Sequence, residues 1–257
     1  MKFVGIVGSI AEDSYNRKLM EFIAKHYQNL AEIEILDIKN VPIFCEDHDI
    51  TDSEVIQTLK RKIEAADGVI IATPEHNHTI TAALKSVLEW LSYQIHPLED
   101  KPVMIVGASY FTQGSSRAQL DLREILEAPG VGAIALPGNE FLLGNAKEAF
   151  DDHGNLKDEG TVNFLTTVME KFVRWVNVIN VMDLMQLADD KKKDEEAADT
   201  GASASVDDDA DEEDDTNASS SVADSTDDEV DTSASASVQD NDSDDNDADT
   251  GTSASVK

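Results

Sequence analysis

The first 140 residues alternate between two periodicities, and few folds accommodate that alternation. Runs dominated by Val, Ile, Leu and Ala recur at 3–7, 32–38, 69–73, 102–107 and 133–136. Helical patterns fill the intervals, near 15–29, over 52–65 with Val55, Leu59 and Ile63 at i, i+4 and i+8, over 80–93, and through Leu120, Leu122, Ile125 and Leu126. The run Val69–Thr73 is continuously apolar, as in a strand buried on both faces. Five strands alternating with helices predict an open, doubly wound, mostly parallel α/β sheet. Sheets of that kind bind ligands beyond the carboxyl ends of their strands.

Three polar loops fall at that edge. The first follows Gly8 and carries Ser9, Ser14, Asn16 and Arg17 at the start of a helix. Hydroxyls, loop amides and a helix N-terminus together suit an anion such as phosphate. The same residues also fit an ordinary strand-to-helix loop with Ser14 as N-cap. The second loop is Pro74-Glu75-His76-Asn77-His78-Thr79, and the third runs from Ala108 to Ser116. Glu75, His78 and Asp47 are titratable and are expected near the cleft edge. No Ser-His-Asp order, paired-carboxylate spacing or HExxH pattern stands out, so no catalytic acid, base or metal ligand is expected.

Composition divides the chain near residue 189. Residues 189–257 contain no aromatic, no Leu and no Ile, and hold 25 Asp and Glu against 4 Lys and Arg. They account for −21 of the net −33, which leaves −12 for residues 1–188. A chain this acidic argues against nucleic acid or an anionic membrane surface as partner. No apolar run reaches membrane-spanning length. The first strand starts at residue 2 without a basic leader, and Cys45 is the single cysteine, so the default expectation is a cytoplasmic protein.

A long helix is expected over 161–187. Its apolar positions, among them Phe164, Val168, Phe172, Val176, Ile179, Met182 and Met185, cover more than one core-facing stripe. One sheet face does not bury that much, so a second contact is expected, most simply a homodimer. Cover by segment 138–160 is the alternative.

Three motifs resemble those of the NADPH-dependent FMN reductase family. They are Gly8-Ser9…Ser14-x-Asn16-Arg17-Lys18-Leu19, then Thr73-Pro74-Glu75-x-Asn77 with Leu84-Lys85…Glu89-Trp90, and Ser109…Gly114…Ala118-Gln119…Leu122-Arg123. The resemblance spans roughly residues 1–185. It implies a flavodoxin-like five-stranded sheet of order 2-1-3-4-5 and FMN bound by its phosphate at the first loop. It further implies that Ser9, Ser14, Asn16 and Arg17 hold the phosphate. Pro74, Glu75, His76 and Asn77 would line the isoalloxazine ring, with Ser109 and Gly114 nearby. NADPH or NADH would be the electron donor, a small molecule (flavin, quinone or azo compound) the acceptor, and a homodimer the assembly. Family members usually carry a basic residue where this chain has Ala11 and Glu12, an aromatic at His76 and a proline at Thr81. His76 would either stack on the ring or cap the following helix. An FMN-binding electron carrier without direct nicotinamide turnover is the alternative function.

The acidic segment 189–257 is too poor in apolar surface to form a core and is expected to be disordered. It repeats an eight-residue unit four times, starting at Asp199, Asp215, Asp231 and Asp249 and ending in Val206, Val222, Val238 and Val256. These units resemble the acceptor sequences of flavin transferases, which join FMN to a Ser or Thr hydroxyl by a phosphoester. By that resemblance Ser205, Ser221, Ser237 and Ser255 would be covalent flavin acceptors. Phosphorylation, a solubilising linker and tandem duplication are the competing readings.

Overall fold

Strand β1 (Lys2–Val7) forms the middle of the left half of a parallel sheet, with β2 (Glu32–Leu36) on one side and β3 (Gly68–Ala72) on the other. β4 (Pro102–Ala108) pairs with β3, and a two-residue β5 (Ile134–Ala135) pairs with the start of β4. The order β2-β1-β3-β4-β5 is the flavodoxin-like one expected. This is a computed structural model that describes residues 1–138 and 140–201.

Pleating sends alternate side chains to opposite faces. Phe3, Val7, Ile70, Met104 and Val106 meet helices α1 (Tyr15–His26) and α6 (Glu159–Gly201). Val4, Ile6, Val69, Ile71, Val103 and Ile105 meet α2 (Glu54–Glu64), α3 (Ala82–Tyr93) and α4 (Ser116–Glu127). Central strands β3 and β4 are buried at every position, as their unbroken apolar runs require. Full burial of a side chain such as Phe172 or Ile71 stabilises the fold by about 1.5–3 kcal/mol each.

Two features depart from the expectation. A sixth strand, β6 (Phe141–Leu143), pairs in parallel with the end of β4, and a one-turn helix α5 (Ala146–Ala149) follows it. β5 and β6 therefore share one edge of β4, β5 at its start and β6 at its carboxyl end. A three-residue strand is too short to show a period. The long helix also does not stop at 187 but runs to Gly201, into the acidic segment. Residues 191–198 are Lys, Asp, Glu and Ala, of which Lys, Glu and Ala are strong helix formers even without a core to cover. The remaining repeats, with Ser205, Ser221, Ser237 and Ser255, lie outside the described residues.

Segment 138–160 covers part of α6: Phe141, Leu143, Ala146 and Leu156 share a core with Leu165, Val168 and Phe172, and Phe141 stacks on Phe164 at 6.1 Å. Past Ile179, the last buried position among the described residues, Val181, Met182, Leu184 and Met185 are exposed. No helix among the described residues is long and apolar enough to cross a membrane.

Candidate functional site

The first loop leaves the sheet where β1 can no longer carry a side chain. At Gly8 a Cβ would lie 2.9 Å from Leu84 Cδ2. Gly8 N–H donates to Ala72 O at 2.8 Å, and its carbonyl accepts from the Thr81 hydroxyl at 2.5 Å. Thr81 also caps α3 by accepting from Leu84 N–H at 3.0 Å. A proline at this position could make neither bond, and the cap role considered for His76 belongs to Thr81. Ser14 is the N-cap of α1, its Oγ accepting from Arg17 N–H at 3.3 Å. Ser9 Oγ accepts from Ala11 N–H at 3.3 Å. Each hydroxyl thus spends a lone pair on the backbone and keeps its proton for an outside acceptor.

Asn16 joins this loop to the third one. It is buried, its Nδ2 donates to Ala108 O and its Oδ1 accepts from Ala108 N–H, both at 2.9 Å. Arg17, one helical step further, points elsewhere: its Nη2 lies 3.9 Å from Asp37 Oδ1, just beyond β2.

The second loop is a tight hairpin. His76 N–H donates to Thr79 O at 2.9 Å and Thr79 N–H to His76 O at 3.1 Å. Asn77 (φ 50°) and His78 (φ 71°) form the turn between them, both left-handed. Two-residue turns of that kind favour Asn followed by Gly, so His78 occupies a position that glycine fits with less strain. Two side chains clamp the hairpin to α4. Glu75 Oε2 accepts from Arg117 N–H at 3.0 Å, and the Thr79 hydroxyl donates to Asp121.

The third loop is held by β6. Ser109 N–H donates to Leu143 O and Ala146 N–H donates to Ser109 O, both at 2.9 Å. Gly107 lets this loop close: a Cβ there would lie 1.8 Å from Ser115 Oγ and 2.6 Å from Thr73 O. Gly114, at φ +64°, sits against Leu142 of β6.

The three loops surround two adjoining cavities. The first, about 250 Å³, is lined by Ser9, Ser14, Asn16, Pro74, Glu75, His76 and Ser109, all expected site residues. It also has Ala11, Asp13, Tyr15, Tyr110 and Phe111, which sequence reasoning missed. Tyr15 meets Tyr110 edge-on at 5.2 Å and stacks on Phe150 at 6.3 Å, so its ring is held from two sides. The second cavity, about 380 Å³, contains Asn77 and Gly114 along with His78, Gln113 and Arg117, and shares Glu75, Ser109 and Phe111 with the first. Arg17 lines neither, and nor does Asp47 in the turn Glu46–His48. The sequence held one usable signal for the missed rings. Tyr110 and Phe111 follow Ser109 in a loop where an aromatic has no strand or helix face to fill, and Tyr15 follows Ser14 at the first position of α1.

Charge in the first cavity is balanced locally. Asp13 is an anion on its wall, and Lys18 Nζ lies 2.5 Å from Asp13 Oδ1 and 4.8 Å from the centre of the Tyr15 ring. The hydrogen bond to Asp13, reinforced by its charge, raises the Lys18 pKa above the usual lysine value. Among the described residues no Lys or Arg lines this cavity, so its attraction for an anion comes from hydroxyls, loop amides and the first turn of α1.

Known proteins are similar to this chain in sequence and fold. A family model described as NADPH-dependent FMN reductase matches residues 1–148. A protein of Vibrio ruber named NADH:(hydroxy)cinnamate reductase subunit CrdA is 45% identical over 179 residues, 70% of this chain and 89% of that one. The NADH-dependent flavin reductase subunit 2 of Lactobacillus johnsonii is 45% identical over 181 residues, 68% of this chain and 97% of its own. Among solved structures, FerB of Paracoccus denitrificans, a flavoenzyme NAD(P)H:(acceptor) oxidoreductase, aligns with a TM-score of 0.63 and 29% identity, covering 68% of this chain and 97% of that one.

Proposed function

The chain belongs to the NADPH-dependent FMN reductase family, and from that premise we propose how its residues divide the work of an NAD(P)H-dependent flavin oxidoreductase. The cofactor is FMN, the donor NADH or NADPH, and the acceptor a small molecule. Bound FMN supplies the hydride-accepting ring, so the protein has to hold two rings in contact and limit water between them.

The observation that carries the assignment of roles is the convergence of all three loops on the first cavity. Ser9 and Ser14, each with a hydroxyl proton to spare, and the N-terminus of α1 suit the phosphate. Lys18 offsets Asp13, which would otherwise repel a phosphate dianion. Asn16 contributes by keeping Ala108 and the third loop in register with the first. Pro74, Glu75, His76 and Ser109, with the rings of Tyr15, Tyr110 and Phe111, suit a flat heterocycle. Arg17 acts on the phosphate only through its backbone and the charge of its helix turn, since its guanidinium is directed to Asp37.

The direct test is FMN titration followed by flavin fluorescence, paired with NADH oxidation in the presence of menadione. Saturable FMN binding that is weakened tenfold or more by Ser9→Ala with Ser14→Ala supports these roles. Unchanged affinity in that double variant removes them.

Three further readings rest on sequence. A homodimer would bury the apolar positions of α6 beyond Ile179. A cytoplasmic setting agrees with a single, exposed cysteine, Cys45. Ser205, Ser221, Ser237 and Ser255 would accept FMN from a flavin transferase, making the acidic segment a tethered electron relay. Intact mass after co-expression with a flavin transferase decides this last point, and tail peptides without FMN-sized increments refute it.

A further inference from the structure

The roles assigned above leave the second cavity without an occupant. It adjoins the ring-binding wall through Glu75, Ser109 and Phe111, and it is lined mainly by polar groups. Two carry formal charge at neutral pH, Glu75 and Arg117. Glu75 is committed: its Oε2 accepts from the backbone N–H of Arg117 at 3.0 Å, and its side chain is mostly buried. The Arg117 guanidinium is not consumed by that contact. Its Nη1 stands 3.6 Å from Glu75 Oε1, beyond hydrogen-bond length, and half of the side chain is exposed. A guanidinium is a rigid fork of five donors shaped for a carboxylate or phosphate. Asn77 and Gln113 line the same cavity and add amide donors, and the left-handed turn at Asn77-His78 is a strained backbone conformation of the kind that clusters at ligand sites.

The placement of this cation matters in a chain of net charge −33. Long-range attraction of an anionic substrate is ruled out by the overall charge, but charges beyond about 8–10 Å are screened at physiological salt. Inside the cavity Glu75 and Arg117 offset one another in formal charge, and the half-exposed guanidinium is the group that presents N–H donors to an entering anion. Phe111, which is three-quarters exposed and common to both cavities, offers a flat apolar surface between them.

We propose that the second cavity receives the anionic group, phosphate or carboxylate, of the co-substrate whose ring meets the flavin, with Arg117 as the specificity-determining residue. The proposal rests on the flavin-reductase reading and goes beyond it by separating two subsites. The ring lies between the cavities near Phe111, and the charge lies at Arg117. Two sources share this chemistry: the pyrophosphate of the nicotinamide donor, and the carboxylate of an aromatic acid acceptor.

The test compares the full-length wild type with Arg117→Gln, which keeps the backbone N–H that Glu75 needs. Arg61→Gln, on α2 away from both cavities, controls for net charge. NADH oxidation is measured with FMN saturating and menadione, a neutral acceptor. ADP-ribose and cinnamate are titrated separately into the FMN-loaded chain by calorimetry. Loss of a charge-assisted contact at a half-exposed site is expected to weaken binding about 5- to 20-fold. If the donor's phosphates occupy the site, Arg117→Gln raises the KM for NADH and the Kd for ADP-ribose by that factor, with kcat within about twofold. If the acceptor's carboxylate does, NADH parameters stay and cinnamate alone weakens. Arg117→Lys, which keeps the charge but not the fork, recovers part of the loss in either case. The proposal is overturned if Arg117→Gln alters neither ligand while the wild type turns over, or if Arg61→Gln reproduces the effect. A wild type that neither binds FMN nor oxidises NADH would bring down the reductase reading itself.

Discussion

At the scale of single residues, neighbours in sequence divide the work by direction. Asn16 and Arg17 are adjacent in the first turn of α1, where one step rotates a side chain by about 100°. Asn16 therefore faces Ala108 across the sheet end and Arg17 faces Asp37. Asn16→Ala leaves both the N–H and the carbonyl of Ala108 unpaired in a buried setting. It is expected to cost about 2–4 kcal/mol in urea unfolding and to weaken FMN binding with it. A loss under 1 kcal/mol would mean that water replaces the amide. His78 has the opposite character. Its φ of 71° is strained for any residue with a Cβ, so His78→Gly is expected to raise stability by about 0.5–1 kcal/mol. If its strain holds the hairpin for function, the same variant lowers kcat/KM while melting later. That Ser14 would be an N-cap could be read from its place ahead of a helical pattern. That Asn16 binds a backbone group 92 positions away could not, because side-chain range is set by the folded chain and not by sequence distance.

At the scale of elements, the short pieces position the site. β6 has only three residues, yet its bonds to the third loop hold Ser109 at the mouth of both cavities. Leu143 supplies the carbonyl for that contact. The start of α6 depends on Asp158, whose carboxylate accepts from Thr161 N–H at 2.6 Å and from its hydroxyl at 2.7 Å. The hydroxyl bond, then the backbone bond, hold its pKa below the ordinary 3.8. A depressed folded-state pKa means that the stabilisation is complete above the unfolded value and is lost as pH falls through the folded one. Asp158→Ala is therefore expected to lower Tm by about 2–4 °C at pH 7, and the difference from wild type should shrink below pH 3.8. Thermal melts at pH 7, 5 and 3 check this, and a difference that is flat with pH would assign the loss to something other than the charge.

At the scale of the whole molecule, α6 is the element with unfinished contacts. Its 43 residues rise about 65 Å at 1.5 Å per residue. Leu165, Val168, Met169, Phe172, Val176 and Ile179 seat the first half on the sheet. Beyond them Val178, Val181, Met182 and Met185, at i, i+3, i+4 and i+7, form a second stripe that is more than half exposed. A second copy of the chain is the partner proposed above for this stripe. Val181→Asp with Met182→Asp is expected to halve the mass seen by light scattering. An unchanged mass in the variant would remove this face from the interface. Net charge acts at the same scale: −33 opposes association at low salt, so the proposed dimer is expected to tighten as ionic strength rises.

The parallel sheet was legible in the chain because burial on two faces imposes apolar runs and a right-handed crossover leaves few ways to connect them, whereas the strand order was an expectation from the family resemblance. The polar loops showed where chemistry would gather, since nothing in a strand or helix pattern calls for Ser9, Glu75 or Ser109. Tertiary structure alone decided how those loops share the space: one cavity that suits a flat phosphorylated ring and a second beside it with Arg117 on its wall. That partition depends on contacts between segments 42 and 92 residues apart, Glu75 with Arg117 of α4 and Asn16 with Ala108 of β4. Direction and distance between such segments exist only once the core has packed, which is why no local pattern encodes them.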